Sequence, residues 1–198
     1  LGIAMDRPGV RIERLAETVE LLKAHWAGSP LTFVRASGFA GRPRPVQQPH
    51  PPVFIGGGAP RVLRLAGRLA DIVSINFNNA AGKLGAGSVA SSTREATAEK
   101  IGWIREGAGD RFGDIELEIA AYFIAISEDP AEAVASMARR FGVPDEVLAS
   151  HPHALIGSVP QICDQLEQRR GELGVSYINV AQRSMEAFAP VVARLAGR

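Results

Sequence analysis

The chain has 198 residues, 46% hydrophobic and 22% charged, a composition that supports one sizeable globular core. Its 22 basic and 21 acidic residues leave a net charge of +1, so nothing electrostatic points to a nucleic-acid or anionic-membrane partner. The single cysteine, Cys163, excludes an internal disulfide and fits a reduced, cytoplasmic setting.

No apolar run approaches the roughly 18 residues of a membrane span. The first charges, Asp6 and Arg7, precede an amphipathic segment rather than a signal peptide. Leu1 is not an initiator methionine, and Leu1-Gly2-Ile3-Ala4-Met5 reads like the interior of a loop, so the expectation is a piece of something longer.

From Val10 to Trp26, the residues Ile12, Leu15, Val19, Leu22 and Trp26 recur at spacings of three and four, which predicts a surface helix with one buried stripe. Gly28-Ser29-Pro30 ends it. Residues 31–52 carry prolines at 43, 45, 49, 51 and 52 and read as an extended connector. Val53-Phe54-Ile55 is a short apolar strand that stops at Gly56-Gly57-Gly58, and Ala59-Pro60 opens a helix with Val62, Leu65, Ala66 and Leu69 inward.

Asp71 to Asn76 is the next strand. Residues 77–91 lack periodicity and are rich in Gly, Ala, Ser and Asn, which suits a mobile lid. Ser92 and Glu95 have capping-box spacing for a helix running to about Glu106. Glu116 to Ile126 is one β-prone run, followed by a helix from Ala131 to about Phe141 and a helical turn around Asp145–Ala149. Gly157-Ser158 begins another helix, with Ser158 and Gln161 at capping-box spacing; Val175 to Val180 is the last strand, and a helix from Glu186 to Leu195 follows.

Strands alternating with helices, with near-continuous apolar strands, predict an α/β fold with a parallel sheet. Four strands cannot close a barrel with a filled interior, and a complete barrel needs about 250 residues. A first helix with no strand before it fits strands five to eight of a (β/α)8 barrel, with residues 1–198 as one partial domain. An open doubly wound sheet is the alternative.

The segment Val53 to Arg61 carries the chemistry. A buried strand ends in three glycines and a helix begins at once. Glycine permits close approach and sharp turning. The first helical amides are unpaired donors at the positive end of the helix dipole, so together they suit an anion, foremost a phosphate. A strand–helix turn that needs glycine for geometry alone is the competing reading. The spacing is neither that of a P-loop nor G-x-G-x-x-G.

Residues 43–58 (Pro-Arg-Pro-Val-Gln-Gln-Pro-His-Pro-Pro-Val-Phe-Ile-Gly-Gly-Gly), with Arg61 to Ala66 and Ala70 to Val73, resemble the fifth and sixth βα units of luciferase-like flavin or deazaflavin oxidoreductases. Arg7 to Leu15 resembles the helix before them; Leu155 to Val159 and Leu173 to Ile178 resemble the last units. The resemblance implies that Gly57 and Gly58, with Gly56 and Ala59, contact the phosphate of coenzyme F420 or, alternatively, FMN. The deazaflavin-dependent subgroup is the one most resembled. It also implies hydride transfer between cofactor and a small organic substrate, catalytic side chains mostly from the first four strands, and homodimers. The FMN-dependent version is a monooxygenase using a flavin reductase partner. A different class stands beside both: a non-catalytic barrel fragment that binds a phosphate ligand or serves in assembly.

Other residues are weighed against plainer roles. Asn76 ends its strand and either touches the cofactor or caps the strand. Arg61 is near enough the helix start to meet a phosphate, whereas Arg64 and Arg68 read as solvated. Lys83 in the lid and Arg183 beyond the last strand read as surface cations, although Asn179, Gln182 and Arg183 face the barrel mouth. Asp71 reads as structural. His25, His50, His151 and His153 share no metal spacing, so no metal is expected. Glu116 and Glu118 begin their strand on one side and read as solvated or ion-paired.

Overall fold

The computed structural model describes residues 5–29, 44–79, 82 and 85–197. Helix α1 (Pro8–Trp26) starts with proline in its first turn and has Val19 at the centre of its buried stripe. Strand β1 (Phe54–Gly57) leads into α2 (Pro60–Leu69), and β2 (Ile72–Ile75) leads into α3 (Ala86–Ala90) and α4 (Arg94–Ala108). Strands β3 (Glu116–Ala121) and β4 (Phe123–Ile126) precede α5 (Pro130–Phe141) and α6 (Asp145–Ala149). Strand β5 (Ala154–Gly157), α7 (Val159–Leu173), β6 (Val175–Val180) and α8 (Met185–Leu195) complete the order.

Four strands form one parallel sheet in the order β1-β2-β3-β6. The other two, β4 and β5, pair in parallel as a separate unit. The single strand expected over Glu116–Ile126 therefore splits at Tyr122, and Ala154–Gly157, to which the sequence reading gave no strand, is one. All four residues of β5 are buried, so it offers no alternation of polar and apolar residues to reveal it.

One sheet face is dry. Ile55, Val73, Ile75, Leu117, Ile119 and Val175 pack against Leu63, Leu65 and Ala66 of α2, Ile101 and Ile104 of α4, and Val19 of α1. Helices α2 and α4 cross in near backbone contact: a Cβ on Gly67 would lie 2.2 Å from the Ile104 carbonyl oxygen, and one on Gly107 would lie 2.0 Å from that of Arg64. Lys23 of α1 donates to the Leu69 carbonyl at 2.7 Å, and Arg111 donates to those of Gly67 and Ala70 at 2.6 and 2.8 Å. These cations satisfy carbonyls at the end of α2 that lack intrahelical donors.

The other face carries Phe54 and Gly56 of β1, registered with Ile72 and Ser74 of β2, which pair in turn with Glu116 and Glu118 of β3. Beyond them Glu118 pairs with Tyr177 and Ala120 with Asn179 of β6. Here Phe54 and Tyr177 are exposed and meet edge to face, with ring centroids 6.3 Å apart.

The expected capping box at Ser92 moves by one residue. Thr93 is the N-cap and accepts from the Ala96 amide at 3.3 Å, while Ser92 is buried. The box at Ser158 holds: the Gln161 side chain accepts from the Ser158 amide at 2.8 Å. Within the stretch expected as a lid, α3 is anchored. Val89 is buried, its carbonyl accepts from the His151 ring at 3.0 Å, and Ser91 Oγ accepts from the Asn78 amide at 2.9 Å.

Candidate functional site

The site grows from the C-terminal end of β1. Gly56 and Gly57 stay in the strand, opposite Ser74 and Ile75 of β2. None of the three consecutive glycines adopts positive φ, so the triplet is not a left-handed turn. It is needed for close approach within the chain itself. A Cβ on Gly58 would sit 2.2 Å from the Phe77 carbonyl oxygen, one on Gly57 2.4 Å from Val62 Cγ1, and one on Gly56 2.8 Å from Asn76 Nδ2. Helix α2 then starts at Pro60, after an extended N-cap residue, Ala59. No side chain caps it, and its first turn holds no acidic residue. The first helical bond runs from the Leu63 amide to the Ala59 carbonyl at 3.1 Å. The amides ahead of it have no acceptor within the helix and lie at the positive end of its dipole, with no carboxylate of the first turn to occupy them.

Arg61 does not lie over that helix start. Its exposed guanidinium rests against α1, 4.0 Å from the Glu13 carboxylate and next to Gly9. Asn76, in contrast, sits among the glycines. Its amide donates to the Gly57 carbonyl at 2.8 Å, and its own carbonyl accepts from Lys100 Nζ at 2.7 Å and from Ser92 Oγ at 3.4 Å. Its side chain links two neighbours: Nδ2 donates to Ser74 Oγ at 3.2 Å, and Oδ1 accepts from the Tyr122 hydroxyl at 2.8 Å.

Phe54, Ser74, Asn76, Glu118, Tyr122, Asn179 and Arg183 line a cleft of about 360 Å³ on the inner sheet face. Asn179 lines this cleft, and so does Arg183, which read as a surface cation; Gln182 is not part of the lining. Lys83 lies outside the described residues. Asp71 is structural as read: its carboxylate accepts from the Val53 amide at 2.7 Å and lies 3.8 Å from Arg111. It also lies 3.9 Å from the His50 ring.

Glu118 departs from its expected solvated or ion-paired role. It is 1% exposed, and its Oε2 has no hydrogen-bond partner among the described residues. Burial raises its carboxyl pKa, partly opposed by a hydrogen bond from Ser74. The same burial raises the Tyr122 phenol, and the Glu118 charge adds to it. Lys100, 2% exposed, is pushed down to about 8 by desolvation.

His151 and His153 are fully buried. His151 Nδ1 accepts from the His153 amide at 3.1 Å, which leaves its Nε2–H to donate to Val89. His153 Nδ1 donates to the Ala120 carbonyl at 2.8 Å, and burial lowers its pKa to about 3. Tyr122 stacks on His153, and Phe77 meets it edge on. Among the described residues, no group of three or more His, Cys, Asp and Glu side chains could hold a metal ion.

Sequence reasoning thus missed Ser74, Lys100, Glu118 and Tyr122. The available signal was polar residues at every second position, Ser74 and Asn76 in one strand and Glu116 and Glu118 in the next, which marks a face turned away from the helices.

Comparison with solved structures places the fold. The coenzyme F420-dependent tetrahydromethanopterin reductase of Methanopyrus kandleri superposes with a TM-score of 0.65 at 16% identity, over 92% of this chain and 62% of that one. A monooxygenase from Streptomyces bottropensis gives 0.61 at 21% identity, over 97% and 63%. A riboflavin lyase holding modified FMN gives 0.58 at 16% identity, over 98% and 59%. The chain spans less than two thirds of the length of each. Its four adjacent parallel strands are part of the TIM-barrel architecture of these luciferase-like enzymes, rather than an open doubly wound sheet. No curated protein sequence matches the chain. No helix among the described residues is long and apolar enough to cross a membrane. The model of the luciferase-like monooxygenase family matches residues 2–174, and the chain belongs to that family.

Proposed function

We propose that this chain supplies the cofactor-phosphate side of an F420-dependent oxidoreductase, which moves hydride between the cofactor and a small organic substrate. The observation that carries the reading is the uncapped start of α2, which follows three glycines at the end of a barrel strand and has no carboxylate in its first turn. Amides near Gly57, Gly58 and Ala59, beside Gly56, would hold the phosphate. Arg61 joins them by exchanging its loose contact with Glu13 for the anion, and Asn76 keeps the neighbouring strand end in place. This donor set fits a phosphate-bearing cofactor, and such a cofactor when bound supplies the hydride chemistry. The chain's own part is to orient it and to shape the wall beside it.

An FMN-dependent monooxygenase, drawing reduced flavin from a reductase partner, is the second reading, supported by the likeness to a monooxygenase. Both readings concern the intact protein, for which a homodimer in the cytoplasm is part of the proposal. Titrating the intact protein separately with F420 and FMN tests them. F420 binding, weakened about 10- to 100-fold by Arg61→Ala, is expected, as for loss of one charge-assisted bond. Tight binding of FMN alone overturns the deazaflavin assignment in favour of the monooxygenase. Binding of neither overturns both in favour of a non-catalytic role for this part of the barrel, as a module for another phosphate ligand or for assembly.

A further inference from the structure

The polar residues of the inner sheet face form a hydrogen-bond chain with one direction. The Tyr122 hydroxyl donates to Asn76 Oδ1 at 2.8 Å, Asn76 Nδ2 donates to Ser74 Oγ at 3.2 Å, and the Ser74 hydroxyl bonds the Glu118 carboxyl. Each hydroxyl has spent its proton toward Glu118, and one of the two Asn76 amide hydrogens points the same way, because an amide oxygen only accepts and an amide nitrogen only donates. Two acceptors are left over. One is the Tyr122 oxygen, on a side chain 43% exposed; the other is Glu118 Oε2, buried and without a partner among the described residues. Both side chains line the same cleft. A buried oxygen with no donor carries an uncompensated desolvation cost, so its retention calls for a donor from outside the described residues.

We propose that the cleft is a ligand subsite for a donor-bearing group, hydroxyl or ring N–H, received by the Tyr122 oxygen and by Glu118 Oε2, with Ser74 and Asn76 as positioning residues. The inference rests on the cofactor reading above and deepens it. It assigns the donors to the part of the cofactor that bears no phosphate, since FMN and F420 share a polyhydroxylated chain and a ring imide. Glu118 acts twice. It offers one oxygen to the ligand, and through Ser74 and Asn76 it holds the tyrosine proton inward, so that the phenol oxygen faces the cleft as an acceptor. Bonds in such a chain polarise one another, so loss of the anchor is felt at the far end.

The test is a set of fluorescence titrations of the intact protein with F420 and with FMN, using Tyr122→Phe, Glu118→Leu, Glu118→Gln and the double variant Tyr122→Phe/Glu118→Leu. Tyr122→Phe is expected to weaken binding of whichever cofactor the protein takes by about 3- to 10-fold, as for one net hydrogen bond. Glu118→Leu weakens it at least as much. The double variant is weaker than Glu118→Leu by less than the Tyr122→Phe factor, because the two residues act through one chain. Glu118→Gln, which keeps an acceptor for Ser74, recovers part of the loss. Thermal melting of each variant separates lost binding from lost fold.

Unchanged affinity in Tyr122→Phe, or factors for the two residues that simply multiply, overturns the subsite. In that event a loss with Arg61→Ala still leaves the phosphate reading standing. Binding of neither cofactor by the unaltered protein overturns the phosphate reading and this one with it.

Discussion

Lys100 Nζ donates a 2.7 Å hydrogen bond to the carbonyl oxygen of Asn76, joining the middle of α4 to the end of β2 from a position that is 2% exposed. A second bond, 2.6 Å to Ser92 Oγ, holds the turn that starts α4. The strand end that carries the site is therefore fixed from behind by a buried cation, and desolvation keeps that cation easier to deprotonate than a free lysine.

The Lys100 folded-state pKa of about 8 lies below the value of 10.5 for an unperturbed lysine. Between those values the unfolded chain binds the extra proton, so stability rises with pH. Lys100→Met removes this dependence. The stability difference between the unaltered protein and Lys100→Met is expected to shift by about 2 kcal/mol toward the unaltered protein between about pH 7 and about pH 9.5. Urea unfolding at both pH values measures it, and a pH-independent difference contradicts the assignment.

His153 sets the acid limit. Its folded pKa of about 3 lies below the ordinary 6.5, so its contribution is intact above the unfolded value and is lost as pH falls. From about pH 7 to about pH 5 the protein is expected to lose about 2 kcal/mol through this residue. His151, also lowered by burial, adds in the same direction. His153→Gln, which keeps a donor for Ala120, flattens the curve; equal acid sensitivity in a thermal melt series would count against it.

Two glycines should respond oppositely to alanine. At Gly58 the added Cβ meets the Phe77 carbonyl oxygen at 2.2 Å, and backbone cannot move aside as a side chain end can. Gly58→Ala is expected to cost about 2 to 3 kcal/mol, as overpacking does. Gly102, inside α4 with nothing within 4 Å of its Cβ position, is expected to gain about 0.5 to 1 kcal/mol as alanine. Chemical denaturation of the pair checks the contrast.

Asp71 ties the start of β1 to β2 through the Val53 amide at 2.7 Å, near Arg111. Asp71→Ala is expected to lower stability by about 1 to 3 kcal/mol, the cost of a donor left without its acceptor. Asp71→Asn, which keeps an acceptor, loses less. Amide exchange at Val53 reports the difference directly, and protection unchanged in Asp71→Ala would refute the tie.

Much of the fold was legible in local pattern. The three-and-four spacing of Ile12, Leu15 and Val19, the apolar runs at Ile55, Val73 and Val175, and the Gly-Ala-Pro start of α2 each report which face meets the core. Those signals depend only on near neighbours along the chain, as does the Gln161 cap at Ser158. Contacts between distant segments left no comparable trace. That Tyr122 divides a β-prone run, that Ala154–Gly157 is a strand, that Glu118 is dry and that Arg61 leans on Glu13 all follow from which elements meet across the fold. The glycine triplet shows both sides. Its residue type announced a close approach, but the atoms approached, the Phe77 carbonyl and the Val62 methyl, come into range only when α2 and β2 pack against β1.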